Sequence, residues 1–115
     1  MDIILFGIKN CDTVKKARRW LNVRQIEYVF HDFRVDGLDI EMIKKFLKQV
    51  EWETLLNKRG TTWRKLPENQ KNNIDGPKAL ELMVEHPALI KRPILDHGNK
   101  YSIGFSENQY EKIFS

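Results

Sequence analysis

Cys11 is the only cysteine in the chain, and it falls where a short apolar run gives way to a helical pattern. Ile3, Ile4, Leu5 and Phe6 have the length of a strand, Gly7-Ile8-Lys9-Asn10 turns the chain, and from Asp12 onward Val14, Ala17 and Leu21 share a helix face. A cysteine at a helix start meets unpaired backbone N–H groups and the positive end of the helix dipole. Both favour the thiolate, the form that attacks disulfides and other electrophiles. Lys9, two residues away, adds positive charge nearby. The competing reading is a small buried hydrophobe, the commoner fate of an isolated cysteine. Position alone leaves the two open.

No other constellation competes for chemistry. His31, His86 and His97 are scattered and, with one cysteine, make no metal site. There is no glycine-rich phosphate loop and no Ser-His-Asp arrangement. Six basic residues (Lys9, Lys15, Lys16, Arg18, Arg19, Arg24) face one acid, Asp12, between positions 9 and 24. They read either as a solvated helix face or as an electropositive approach that draws an anion toward Cys11. RNA-binding aromatic stretches, zinc-finger spacing and basic tails are missing, so nucleic acid is not an expected partner.

Length and composition bound the rest. With 115 residues, 41% hydrophobic and 31% charged at a net charge of +4, the chain suits one domain with a single core. No apolar run is long enough to span a membrane. A lone thiol excludes an internal disulfide and fits a reducing compartment, and Met-Asp-Ile-Ile-Leu-Phe carries neither a basic leader nor a cleavage site. A cytoplasmic protein is expected.

The elements that must position Cys11 follow from periodicity and punctuation. A strand is predicted over 3–6, a helix over 12–23 and a strand over 27–32, with Tyr28, Phe30 and Asp32 on one face. Asp39 caps a helix over 41–48, in which Ile40, Ile43 and Leu47 share a face. Trp52, Leu55 and Leu56 suggest a short helix, 57–62 a loop ending in a cap, and 68–74 a further short helix. Pro77 suits the first turn of the next helix, with Ala79, Leu80, Met83 and Val84 buried, and His86-Pro87 ends it. Residues 93–96 and 101–105 read as strands joined by a hairpin turn at His97-Gly98-Asn99-Lys100. Ser106 caps a last helix over 107–114, with Tyr110, Ile113 and Phe114 inward. The order β-α-β, helical block, β-β-α predicts an α/β fold: a thioredoxin-like four-stranded mixed sheet with helices on both faces. One domain is expected over 1–115, with a helical insertion over 39–86.

Several segments together resemble one family: Asn10-Cys11-Asp12-Thr13 with Lys15-Lys16-Ala17, Leu55-Leu56-Asn57-Lys58-Arg59-Gly60 with Thr62-Trp63-Arg64, His86-Pro87, Ile90-Lys91-Arg92-Pro93-Ile94 and Gly104-Phe105. Their order is similar to that of the ArsC/Spx family of thioredoxin-fold proteins, and within it to the small bacterial YffB-type members, often labelled arsenate-reductase-like. The resemblance implies that Cys11 is the nucleophile. It implies that Arg92, which by itself reads as a surface ion-pair partner, holds an anion beside the sulfur, and that Pro93 is the proline that is usually cis in such folds. Lys9, Asn10, Asp12 and Thr13 complete the expected substrate- or glutathione-binding set. Arg59 and Arg64, flanking a core Trp63, are weaker candidates for contact with a peptide-like anion across a cleft.

Two departures narrow the substrate. Asn57 stands where the glutaredoxin-coupled arsenate reductases carry an arginine, and no basic residue stands near Ile103-Gly104, where they carry another. An oxyanion needs several charge-assisted donors at close range, which argues against arsenate as the physiological substrate. Val14 occupies the place of a second cysteine found in many Spx members, excluding their internal switch. The implied activity is a glutathione-dependent thiol oxidoreductase with no bound cofactor, glutathione as co-substrate, and glutathione or glutaredoxin as the resolving thiol. The alternative is a non-catalytic, Spx-like module that docks on RNA polymerase or another protein.

Overall fold

The structure, a computed structural model, describes residues 2–115. Four strands form one mixed sheet: β1 (Ile3–Gly7), β2 (Val29–Asp32), β3 (Ile94–His97) and β4 (Tyr101–Ile103), in the order β2-β1-β3-β4. β1 pairs parallel to β2 and antiparallel to β3, and β3 runs antiparallel to β4. With α1 (Asp12–Val23) linking β1 to β2 and a carboxy-terminal helix (Glu107–Phe114) after β4, the arrangement is the expected thioredoxin-like one.

The chain divides into two compact units. One runs up to Gly37 and resumes from Arg92 to Ser115; the other is Leu38–Lys91, which contains the segment expected as an insertion, 39–86. In the sheet unit, Ile3, Leu5 and Leu95 pack with Ala17, Trp20 and Leu21 of α1 and with Tyr110 of the last helix. Trp20 meets Tyr110 edge-on, with ring centroids 5.5 Å apart, and Phe105 does so at 4.7 Å. Such pairs add to plain area burial. Tyr110 is fully buried, and no described protein group bonds its hydroxyl; burial also pushes its ionisation far above the ordinary tyrosine range. A buried hydroxyl without a partner costs free energy. Tyr110→Phe is therefore expected to keep or raise stability, by up to about 1 kcal/mol, measured as the urea midpoint at unchanged slope.

β2 starts two residues later than expected. The parallel ladder begins with Ile4 opposite Val29, so only Glu27 lies beyond the first residue of β1, and Tyr28, opposite Ile3, stands outside the paired stretch. The hairpin turn lies where predicted: Gly98 and Asn99 both have positive φ, 68° and 67°, the backbone that a two-residue turn matched to strand twist requires. His97 opens it and is also the last residue of β3, with its ring nitrogen 2.8 Å from Ser102 Oγ.

The other unit is helical: α2 (Ile40–Leu47), α3 (Trp52–Leu55), α4 (Thr61–Lys65), α5 (Glu68–Lys71), α6 (Gly76–Glu85) and a 3-10 turn at Pro87–Leu89; the carboxy-terminal helix is α7. Asp39 and Asp75 cap α2 and α6, each carboxylate accepting an N–H three residues on, at 2.9 and 3.0 Å. Here several expectations shift. α2 buries Ile43 and Phe46 while Ile40 is exposed, and α6 buries Ala79, Leu82 and Met83 while Val84 is exposed. Both helices carry overlapping apolar stripes about 100° apart, and only the packing of α2 on α6 selects one. Thr61 and Thr62 lie inside α4, with Gly60 at the cap position. α5 ends at Lys71, short of 74, before Asn73 at a φ of 55°. Trp63 is half-buried rather than core, with the Lys58 and Lys71 ammonium groups 5.6 and 5.8 Å from its ring. The end of this unit is tied by the Leu56–Ile90 bridge, Asn57 N–H donating to the Leu89 carbonyl at 2.7 Å and Lys91 N–H to that of Leu55 at 2.9 Å.

Candidate active site

Cys11 occupies the N-cap position of α1 with extended backbone (φ −103°, ψ 126°). Its N–H donates to the Ile8 carbonyl at 3.2 Å, closing the turn, and its carbonyl accepts the N–H of Lys15 at 2.9 Å, starting the helix. The sulfur therefore lies among the unpaired N–H groups of the first turn. The side chain is only partly buried.

Four influences act on the thiol. Burial pushes its ionisation up. Against this work the N–H of Val14, the Arg92 guanidinium (by hydrogen bond and by charge) and the N–H of Thr13, and they win: Cys11 sits below the ordinary thiol value. A partly buried N-cap sulfur, with the first-turn N–H groups of Thr13 and Val14 and the Arg92 guanidinium all favouring its charged form, has the electropositive, partly exposed surroundings of a reactive cysteine.

The sheet brings Arg92 to that place. β1 and β3 are neighbours in register Phe6–Ile94, so the residues just before β3 run beside those just after β1. The Arg92–Pro93 bond is cis, and Pro93 is buried. Its carbonyl accepts the N–H of Gly104 at 2.8 Å, where the chain has a φ of +80° that favours glycine.

The other expected residues distribute as follows. Thr13 contributes its N–H to the sulfur. Lys9 enters the site through its main chain, its N–H donating to Asp32 Oδ2 at 3.2 Å. The side chains of Asn10 and Asp12 are exposed around the turn. Arg59 and Arg64 belong to the helical unit, where the Arg64 guanidinium donates to the Arg59 carbonyl at 2.8 Å and Arg59 N–H to Asn57 Oδ1 at 3.0 Å. Two members of the basic run serve packing. Arg18 lies over the Phe30 ring at 4.2 Å and bonds the Tyr28 hydroxyl, while Arg24 lies over Trp20 at 3.9 Å and pairs with Glu111 at 2.6 Å. Lys15, Lys16 and Arg19 remain exposed on α1.

Three contributors escaped sequence reasoning. Val14 was legible as core, yet its N–H also serves the sulfur. Gly7 read as turn but ends β1 against Val14: a Cβ there would lie 2.8 Å from Val14 Cγ2. Asp32 read as one more inward position of β2; an acid on an apolar alternation was the signal.

Comparison with known proteins agrees with the geometry. The profile of the ArsC family matches residues 6–113. An uncharacterized protein of Haemophilus influenzae is 50% identical over 113 residues, which cover 98% of this chain and 99% of that one. The solved structure of the YFFB protein is 43% identical, covers 98% of this chain and 99% of its own, and superposes with a TM-score of 0.93. The global transcriptional regulator Spx 2 of Bacillus cereus is 28% identical over 116 residues, covering 96% of this chain and 86% of the regulator. A profile match that begins within β1 and ends within α7, enclosing Cys11 and Arg92, places this chain in the ArsC family.

Proposed function

We propose that this arsenate-reductase-like protein is a thiol oxidoreductase that works through Cys11 alone, with glutathione as co-substrate. The observation that carries this reading is the sulfur of Cys11, held at a helix N-terminus and beside Arg92, with its ionisation lowered despite partial burial.

The steps follow from a single thiol. The Cys11 thiolate attacks one sulfur of a disulfide; the S–S bond breaks, its other half leaves as a thiolate, and a mixed disulfide joins Cys11 to the substrate. No second cysteine exists in the chain to resolve it. A glutathione thiolate, or the thiol of a glutaredoxin, therefore attacks the adduct, releases Cys11 as thiolate and departs as a disulfide with the substrate group. The electrons come from the external thiols. Glutathione is anionic at neutral pH. Arg92 and the N–H groups of the first turn of α1 suit an anionic sulfur or carboxylate, and Lys9, Asn10, Asp12, Thr13 and Pro93 border the same place. A reducing cytoplasm, which supplies the resolving thiol, is the fitting compartment. Among the described residues no helix is long and apolar enough to cross a membrane.

The test is intact-mass spectrometry after mild treatment with oxidised glutathione. The wild-type protein is expected to gain one glutathione, reversed by excess reduced glutathione, and Cys11→Ser to gain none. A wild-type protein that stays unmodified defeats the proposal. The likeness to the Spx 2 regulator supports a second reading, a non-catalytic docking module; adduct formation without turnover in a glutathione-coupled disulfide assay, together with co-purification of RNA polymerase, would favour it.

A further inference from the structure

We propose that Asp32 is a positioning residue for Cys11: its buried carboxylate clamps the turn that brings the sulfur to Arg92. This rests on the reading of Cys11 as a nucleophile and says what holds that nucleophile in place.

Asp32 is 6% exposed, and it is the one charged side chain in the buried set among the described residues. A carboxylate is costly to bury unless it is well bonded. Both of its oxygens are used, and both accept from the main chain. Oδ2 accepts the N–H of Lys9 at 3.2 Å, in the turn between β1 and α1. Oδ1 accepts the N–H of Arg34 at 2.8 Å, in the turn after β2. Asp32 is itself fixed, because its N–H donates to Asp36 Oδ2 at 2.9 Å and its carbonyl accepts the N–H of Asp36 at 2.7 Å. Phe33 N–H adds a bond to the Gly7 carbonyl at 2.9 Å. The turn carrying Lys9 and Asn10 into Cys11 is thus fastened to the end of β2 on one side, with Arg92-Pro93 beside β1 on the other.

The two kinds of donor to the sulfur depend differently on this clamp. Val14 and Thr13 sit on the same helix end as Cys11 and accompany it wherever the turn goes. Arg92 arrives from another strand, so its contact exists only if the turn follows one path. Asp32 therefore governs the Arg92 contribution. Asparagine cannot substitute: it offers one acceptor oxygen, and its NH2 group would face a main-chain donor.

The experiment is the pH profile of Cys11 alkylation by iodoacetamide in the wild type, Asp32→Asn, Arg92→Leu and the double variant. Asp32→Asn is expected to slow alkylation at pH 7 roughly threefold and to move the midpoint to higher pH. In the Arg92→Leu background the same substitution should change little, because the contact it secures is already gone. A purely structural Asp32 would lower the unfolding midpoint and slow alkylation equally, or not at all, in both backgrounds; that overturns the proposal. A wild-type midpoint at the free-thiol value, unmoved by Arg92→Leu, overturns the nucleophile reading as well, whereas a low midpoint raised by Arg92→Leu and untouched by Asp32→Asn overturns only this one. If Asp32→Asn fails to fold, hydrogen exchange of the wild-type Lys9 amide reports the clamp directly. Slow exchange is expected although the Lys9 side chain is exposed, and exchange at the unprotected rate overturns the proposal.

Discussion

In an Arg92→Leu protein, alkylation of Cys11 by iodoacetamide at pH 7 should slow roughly three- to tenfold, because a nearby cation is a main means of lowering a thiol's ionisation. Arg92 acts on the sulfur by hydrogen bond and by charge, while burial acts the other way. Leucine removes both favourable effects and leaves the burial. Iodoacetamide is neutral, so the loss reports thiolate population and not reagent binding. Reaction with oxidised glutathione, an anion, should fall further, since the guanidinium also serves as its expected partner. The difference must invert at high pH. Once both thiols are fully ionised, the variant's more basic sulfur is the better nucleophile and becomes modestly faster.

Stability provides a second reading of the same change. The folded Cys11 ionises below the ordinary thiol value, so its thiolate stabilises the fold fully above the unfolded thiol's pKa. That contribution fades as pH falls through the folded one. The stability gap between wild type and Arg92→Leu should therefore widen with rising pH across that window. A gap that is flat with pH, or an alkylation profile that superimposes on the wild type, would show that the guanidinium does not reach the sulfur.

Gly7→Ala should destabilise the protein by about 1–3 kcal/mol, the range for overpacking a filled core, and slow Cys11 alkylation at the same time. Gly7 does not have a positive φ, so backbone conformation is not the obstacle; space is. The new methyl would lie 2.8 Å from Val14 Cγ2 and 3.2 Å from Cγ1. Val14 is fully buried, and a β-branched side chain on a helix has one strongly preferred rotamer. It cannot swing aside, so the first turn of α1 must move, carrying with it the Val14 N–H that favours the charged sulfur. The check is a double-mutant cycle. Val14→Ala leaves a cavity and should be destabilising alone, but combined with Gly7→Ala it makes room for the added methyl, so the pair should cost clearly less than the sum. Strict additivity would mean that the two residues do not press on one another.

Most of the sheet unit was legible from the residues alone. The helix predicted over 12–23 is α1 as found, and the caps at Asp39 and Ser106 bond as their residue types foretell, Ser106 Oγ accepting the N–H of Gln109 at 3.1 Å. These are local matters: capping, turn residues and a clean 3.6-residue period act within a few positions of the chain. The helical unit was less legible. Where α2 and α6 each offered two apolar stripes, periodicity could not choose, and burial of Phe46 over Ile40, or of Leu82 over Val84, was settled by the partner helix.

By itself the sequence determined that one cysteine would stand at a helix start, and that it would have no second cysteine in the chain to pair with. Tertiary structure alone decided what surrounds the sulfur. Arg92 lies 81 positions further along the chain and reaches Cys11 only because β3 pairs with β1. Asp32 closes on the Lys9 amide only because β2 lies on the other side of β1. Gly7 matters only because α1 folds back against the end of its own strand. Charge and hydrogen bonding weaken steeply with distance, and the fold, not the order of residues, sets those distances.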